Sequence, residues 1–310
     1  MVRQGGVALV TVLFILTLMV TLSAYLVGDE HLAMRRFGNI RDTQQVFQLL
    51  LSSEGWGRKI LQRDLRESKT DHLLESWNKL GNPVKVEGGQ LVTVMVDQQG
   101  RFNLNNLQDG KKSIWYGAFV RLLQVLELNT GLADAVVDWI DADQTVTGIN
   151  GAEDDEYLSR TPPYRSANNL IADQSELLSI KGFDRKTVEV LAPHISTLPS
   201  RNVLININTC SLEVLRAVGK TVLDEATAET LVVGRGEEGY VSVTVFLQQQ
   251  GMAGHGDVAT KLVTVASNYF MVVSRASFGR ADMTLNSLFI RGGVGTTAKV
   301  SLLQRLRTTL

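Results

Sequence analysis

From Val7 to Val27 the chain carries no charged residue, and this run follows directly on the six-residue leader Met-Val-Arg-Gln-Gly-Gly. As a helix at ~1.5 Å per residue, such a run reaches roughly 30 Å, the thickness of a bilayer's hydrocarbon core. A secretory signal is the first rival, but its apolar region is about 7–15 residues long and ends at a small-residue cleavage site. Here the run is longer, and Ser23 and Ala24 make a poor site. A helical pattern then continues without proline through Phe37, Ile40, Phe47, Leu50, Ile60 and Leu61. One rod is therefore predicted, with residues 7–27 in the membrane and residues 28–67 beyond it. Arg3 precedes the span and Asp29 and Glu30 follow it, which puts the amino terminus in the cytoplasm and the bulk outside.

A short basic leader that ends in glycine before an apolar helix resembles the prepilin signal. That resemblance implies cleavage between Gly6 and Val7 by the prepilin peptidase, N-methylation at Val7, and a helix that stays in the mature protein. The fifth mature position is then Thr11, where most pilins and pseudopilins carry Glu. In a fibre that carboxylate meets the amino terminus of the neighbour ahead, because a lone charge in an apolar core costs several kcal/mol. A subunit with no neighbour ahead tolerates Thr11.

Net charge is −1 with no long basic tract, so neither nucleic acid nor anionic lipid is strongly attracted. Cys210 is the single cysteine, so there is no intrachain disulfide framework. Four scattered histidines, at 31, 72, 194 and 255, leave zinc and Ser-His chemistry little to build on. The four tryptophans, at 56, 77, 115 and 139, read as core or junction residues.

Beyond the rod, the polar stretch from Ser68 to Pro83 reads as a connector. Val84–Glu87, a Gly88-Gly89 turn and the alternating run Leu91–Val96 form a hairpin, with Gln98-Gln99-Gly100 turning into Arg101–Leu104. From Leu107 the period becomes helical, with Trp115, Phe119, Leu122, Leu123 and Leu126 on one stripe and Leu132, Val136, Val137 and Ile140 on the next. Three strand-like segments close the chain, over residues 268–277, 281–291 and 296–307. The fold class is α+β: a pilin-like long amino-terminal helix packed on a small antiparallel sheet, with a large helical insert between the first and last strands. Residues 84–106 supply the first strands. Residues 107–262 form the insert, in modules of 107–200 and about 205–262, and residues 265–310 supply the last strands.

The insert holds a dense acidic segment, Asp138-Trp-Ile-Asp141-Ala-Asp143 followed by Glu153-Asp154-Asp155-Glu156: seven carboxylates that repel unless a cation or solvent neutralises them. Hard oxygen ligands on a flexible loop suit calcium. An EF-hand is excluded, since a loop starting at Asp141 has Val146 and Ala152 where Gly and Glu are required. A solvated acidic loop is the alternative, and Trp139, Ile140 and Tyr157 favour an ordered one.

Phe102-Asn-Leu-Asn105, Trp139-Ile-Asp-Ala-Asp143, Gly151-Ala-Glu-Asp154 with Tyr157-Leu158, Ala167-Asn168, Ile205-Asn-Ile-Asn-Thr209, Ser267-Asn-Tyr-Phe270 and Leu285-Asn-Ser-Leu288 follow in an order that resembles general secretion pathway protein K. That family is the largest minor pseudopilin of the bacterial type II secretion system. The resemblance implies a pseudopilus-tip subunit that starts or caps assembly for export of folded exoproteins. Its partners are the minor pseudopilins of the I and J types, with the H type, the major pseudopilin and the exoprotein as further candidates. It implies calcium held around Asp141, Asp143, Glu153 and Asp154, with Asp138, Asp155 and Glu156 as additional candidates. The protein is then anchored in the inner membrane with its bulk in the periplasm, and it is not an enzyme.

A different reading comes from two helical hairpins. Asp173-Gln-Ser-Glu176 boxes the start of a helix through Leu177, Leu178 and Ile180 that ends at Gly182, and Thr209 or Ser211 caps another that ends at Gly219. Helix-hairpin-helix units of this kind clasp DNA phosphates, so a membrane-anchored DNA-uptake protein is the alternative. Against it, the hairpins lack paired glycines, and Lys181, Arg185 and Lys186 make only a small basic patch. Packing modules are the simpler reading. Paired acids such as Asp141 and Glu153 also suit acid–base catalysis, but no nucleophile–base pair accompanies them.

Overall fold

A computed structural model describes residues 5–293 and 299–309. Arg3 and most of the leader, and the start of the last strand at Thr296, lie outside the described residues. In chain order the elements begin with α1 (Gly5–Glu67), β1 (Val84–Val86), β2 (Gly89–Asp97) and β3 (Phe102–Asn103). Next come α2 (Ile114–Val125), α3 (Leu132–Ile140), α4 (Asp154–Leu158), α5 (Arg185–Leu191), β4 (Ile195–Ser196) and β5 (Ile205–Asn206). Then follow α6 (Leu212–Arg216), α7 (Glu225–Val233), α8 (Val243–Leu247), α9 (Gly256–Ala259) and β6 (Val263–Thr264). The antiparallel strands β7 (Tyr269–Phe278), β8 (Ala281–Gly292) and β9 (Lys299–Thr309) end the chain.

α1 is a single helix of 63 residues, ~95 Å long. It is the one helix among the described residues that is long and apolar enough to cross a membrane. Its hydroxyls suit that environment. Thr11 Oγ1 donates to the carbonyls of Val7 (3.1 Å) and Ala8 (2.9 Å), and Thr17 and Thr21 bond back in the same way. Further along, the helical stripe meets the sheet: Val46, Leu50 and Leu61 are buried, whereas Phe37 and Ile40, below the sheet, are exposed. Gly57 lets the helix close on the strands, because a Cβ there would press on Val272. Ser53 bridges helix and sheet through Thr93 (2.5 Å) and Ser274 (2.8 Å).

The main sheet has the order β1-β2-β7-β8-β9 and is antiparallel throughout, so the early hairpin and late meander complete one layer over α1. β2 and β7 are neighbours, with Met95 opposite Val272, and the whole helical region fills the connection between them. The β7–β8 turn at Gly279 abuts Asp42 of α1. The opposite end of the sheet, where the insert departs, lies beside Asp64, which is 22 residues or ~33 Å further along the helix. The insert therefore stands at the end of the sheet away from the apolar span.

One expected strand is placed differently. Phe102–Asn103 does not extend the main sheet; it pairs in parallel with Ile195–Ser196. β5 pairs with β6 in the same way. Each module of the insert is thus closed by a two-residue parallel ladder, while a common core running from Phe102 to Val263 joins the two. The asparagine-rich motifs supply the clamps. Asn103 accepts from Leu198 N–H (2.9 Å) and donates to Ser200 O, and Asn105 exchanges bonds with the backbone of Ile171. These side chains are buried and satisfied, as buried amides must be. Trp77, Trp115 and Trp139 are core residues, whereas Trp56 is 48% exposed. Cys210 is buried, and burial pushes its thiol up.

Candidate metal centre

Every residue of α3 is buried, which carries Asp138 inside with its apolar neighbours. The helix ends at Asp141, whose backbone turns extended while its N–H still reaches Val137 O (2.9 Å). Asp143 then accepts from Thr145 N–H (2.7 Å) and starts a loop. Thr147 N–H donates to both oxygens of Asp138 (3.0 and 3.1 Å), folding the loop back over the helix end. At position 151 only glycine fits, since a Cβ would overlap Asp138 Oδ2 and the backbone of Thr147. The chain so returns Glu153, 4% exposed, to the side of Asp141.

The structure brings Asp141, Asp143 and Glu153 together: one carboxylate oxygen of each lies within 4.8 Å of the others. Asp138 sits behind them, its carboxylate committed to Thr147 and Ala152. Among the described residues, Asp141 Oδ1 and Glu153 Oε1 are buried and accept from no donor, and the other Glu153 oxygen has only a long bond from Ser166 (3.4 Å). Burial first, then the neighbouring carboxylates, pushes Asp141 up to about 6 and Glu153 up to about 7. Unpartnered buried oxygens are costly. Three converging carboxylates with two such oxygens form a hard donor set that fits a divalent cation.

The remaining acids are engaged elsewhere. Asp154 pairs with Arg165 (2.9 Å) and accepts from Ser166, tying α4 to the outgoing chain. Asp155 is exposed, and Glu156 faces Arg160 (3.3 Å) and Lys181 (3.7 Å). Asp154, Asp155 and Glu156 thus lie outside the convergent cluster. Behind it, Trp139 packs edge-on to Tyr157 (5.2 Å) and Arg160 lies over the Tyr157 ring (4.9 Å), which gives the loop a rigid base.

A second acidic group escaped the sequence reading. Asp64 and Asp71 converge on Arg291, whose guanidinium pairs with both, and Glu75 lies nearby. Next to them Asp97 accepts from Ser267 (2.6 Å), Thr209 (2.6 Å), Asn206 (3.0 Å) and Gln99 N–H (2.8 Å). These acids are neutralised or saturated by protein donors, and together they join sheet, connector and second module. They are spread from residue 64 to residue 97 on elements of different type, so no local spacing marks them.

The hairpins also gain definite roles. The Asp173/Glu176 capping box forms, but on a 3-10 turn over Gln174–Ser179 instead of an α-helix, and Ser211, not Thr209, caps α6. Lys181 donates to Gly151 O (3.2 Å), so one cation of the basic patch braces the acidic loop.

The family described as "Type II secretion system (T2SS), protein K" matches residues 100–200 and 205–266, the two segments that the parallel ladders enclose. The chain is 36% identical to type II secretion system protein K of Pseudomonas aeruginosa, covering 94% of this chain and 90% of that one. It is 33% identical to the protein of that name from Pectobacterium carotovorum subsp. carotovorum, covering 98% and 96%. Among solved structures, it resembles a chain in the GspK-GspI-GspJ complex from the enterotoxigenic Escherichia coli type 2 secretion system. The TM-score is 0.79 at 27% identity, over 88% of this chain and 99% of that one.

Proposed function

The chain belongs to the type II secretion system protein K family and is a minor pseudopilin of that system, and from this premise we propose that it caps the pseudopilus at its tip. The observation that carries the reading is the position of the insert. It leaves the sheet at the Asp64 end of α1, away from the apolar span, and occupies the space that a subunit stacked above would need. The lower part of α1, with Phe37 and Ile40 exposed, remains open to subunits arriving from the membrane side.

Thr11 supports the same place in the assembly. Its hydroxyl is satisfied inside the helix, so it requires no amino terminus from a neighbour ahead. Cleavage between Gly6 and Val7 by the prepilin peptidase, with N-methylation of Val7, precedes assembly. The anchored subunit then sits in the inner membrane, amino terminus inside and bulk in the periplasm. Minor pseudopilins of the I and J types join it, as GspI and GspJ join GspK in the E. coli complex, and the H type and major pseudopilin follow beneath. Calcium held by Asp141, Asp143 and Glu153 stiffens the tip surface presented during export of folded exoproteins.

Gold labelling of the insert on isolated pseudopili tests the placement: label at one end per fibre is expected, and label along the length sinks the cap reading. Calcium titration of the full chain in detergent micelles tests the metal, with saturable binding expected and its loss in Asp141→Ala and Glu153→Ala. Intact binding in both variants refutes the assigned ligands.

A further inference from the structure

The insert leaves the sheet beyond Asp97 and returns to it at Ser267, and both points meet the end of α1 in the seam of buried acids. Asp64 on α1 and Asp71 on the connector are 6% and 1% exposed, and Arg291 on β8, 5% exposed, pairs with both. The guanidinium is fixed in place: its Nε donates to Ser267 O (2.9 Å), the Phe270 ring lies 4.5 Å from it, and each terminal nitrogen takes one carboxyl group.

One positive charge thus faces two acids. The other charged groups packed on the seam do not supply the balance. Asp97 on β2 adds a third carboxylate, held by Ser267, Thr209, Asn206 and the Gln99 N–H, and Arg101 acts on Asp97. Glu75 accepts from Trp77 Nε1 (2.7 Å) and the His72 N–H (3.1 Å), and the His72 ring lies 3.9 Å from the same carboxylate. Asp64 and Asp71 also lie within hydrogen-bonding reach of each other. Two ionised carboxylates are acceptors only and repel in that arrangement, whereas a proton between them makes a hydrogen bond. Burial is the first cause that raises both acids, Asp71 to about 7.

We propose that Asp64 and Asp71 share one proton in the folded protein and that this acid pair is a pH-sensitive latch between the insert and the rod. With the proton in place the pair carries a single negative charge, which Arg291 balances. Asp71 then accepts from Ser267 N–H (2.7 Å), and its own N–H donates to Val265 O (2.9 Å), so the returning chain is tied to the connector at the pair itself. Loss of the proton leaves two adjacent anions on one guanidinium and loosens the connector from the end of α1. The unfolded chain releases this proton near the ordinary 3.8 and the folded chain near 7. The contribution to stability is therefore complete below the lower value, falls as pH rises through the interval, and is lost above the upper one.

Asp64→Asn tests the latch in the full chain in detergent micelles, because its amide N–H replaces the shared proton while its oxygen still accepts from Arg291. Thermal melts of parent and variant are compared at about pH 4 and about pH 8.5. The melting temperature of the variant relative to the parent should be several degrees higher at the upper pH than at the lower. Asp141 and Glu153 titrate in the same interval, but they contribute equally to both proteins and cancel in the difference. Amide exchange at Ser267 locates the effect: it should be several-fold faster in the parent than in the variant at the upper pH, and alike at the lower. Asp71→Asn removes the other half of the pair and should reproduce the melting profile, which decides the matter if Asp64→Asn fails to fold. A difference between variant and parent that is the same at both pH values overturns the proposal, as does equal exchange at Ser267 at the upper pH.

Discussion

Removing the charge of Glu153 should stabilise the protein in chelator and destabilise it in calcium. Without metal, Glu153 rises from 4.5 to about 7, through burial and the charges of Asp138, Asp141 and Asp143. The folded state therefore holds a proton that the unfolded chain releases between those pH values. The contribution of this carboxyl to stability is undiminished below about pH 4.5, falls through the window, and is fully lost above pH 7. The shift converts to an upper bound of about 3.5 kcal/mol at ~1.4 kcal/mol per unit. Solvent reaching the open loop reduces this to about 1–2 kcal/mol.

Glu153→Gln removes that penalty, so in EDTA at pH 7.5 its melting temperature should exceed the parent's by about 2–8 °C, given about 2–4 °C per kcal/mol for a domain of this size. At pH 4 the two should coincide. With calcium at about 100-fold its dissociation constant, the parent gains about 2.7 kcal/mol that the variant largely lacks, and the order inverts. Near-ultraviolet circular dichroism follows the melt locally, because Trp139 packs on Tyr157 behind the cluster. A variant less stable than its parent in EDTA at pH 7.5, or one that gains as much from calcium, refutes the reasoning.

Three further outcomes follow from the packing. Gly151→Ala forces a methyl group onto Asp138 and Thr147, and should lower stability by about 1–3 kcal/mol and weaken calcium binding, both measurable by denaturation and calorimetry. Arg291→Ala leaves Asp64 and Asp71 buried without a cation, which should cost about 3–5 kcal/mol in urea unfolding; a smaller loss in Arg291→Met would show that the guanidinium's volume matters as well as its charge. Asn105→Ala strands the N–H of Ile171 and the carbonyls of Ile171 and Leu198, and should cost about 2 kcal/mol with faster amide exchange at Ile171.

Elements that depend on nearest neighbours were legible in the chain. The charge-free run fixes the amphipathic change along α1, alternation fixes β2, and the Asp173/Glu176 spacing fixes a capping box. Two carboxylates just past an apolar helix and a third beyond a glycine pointed to Asp141, Asp143 and Glu153. Local density alone did not separate these from Asp154 and Glu156, because a charge run looks the same whether its members converge on a cation or pair with Arg165, Arg160 and Lys181. Phe102–Asn103 carried a strand signal in the correct place, but its partner, Ile195–Ser196, is distant in sequence and two residues long.

By itself, then, the sequence determined an apolar anchor continuing into a long helix, an antiparallel sheet split around helical modules, and an acidic loop, since each follows from periodicity or composition over a few turns. Only the tertiary structure decided which end of the sheet carries the insert, which acids converge, and that Asp64, Asp71, Asp97 and Arg291 meet in one seam. Those facts depend on strand order and on the approach of residues up to 227 positions apart, and no local propensity encodes such distances.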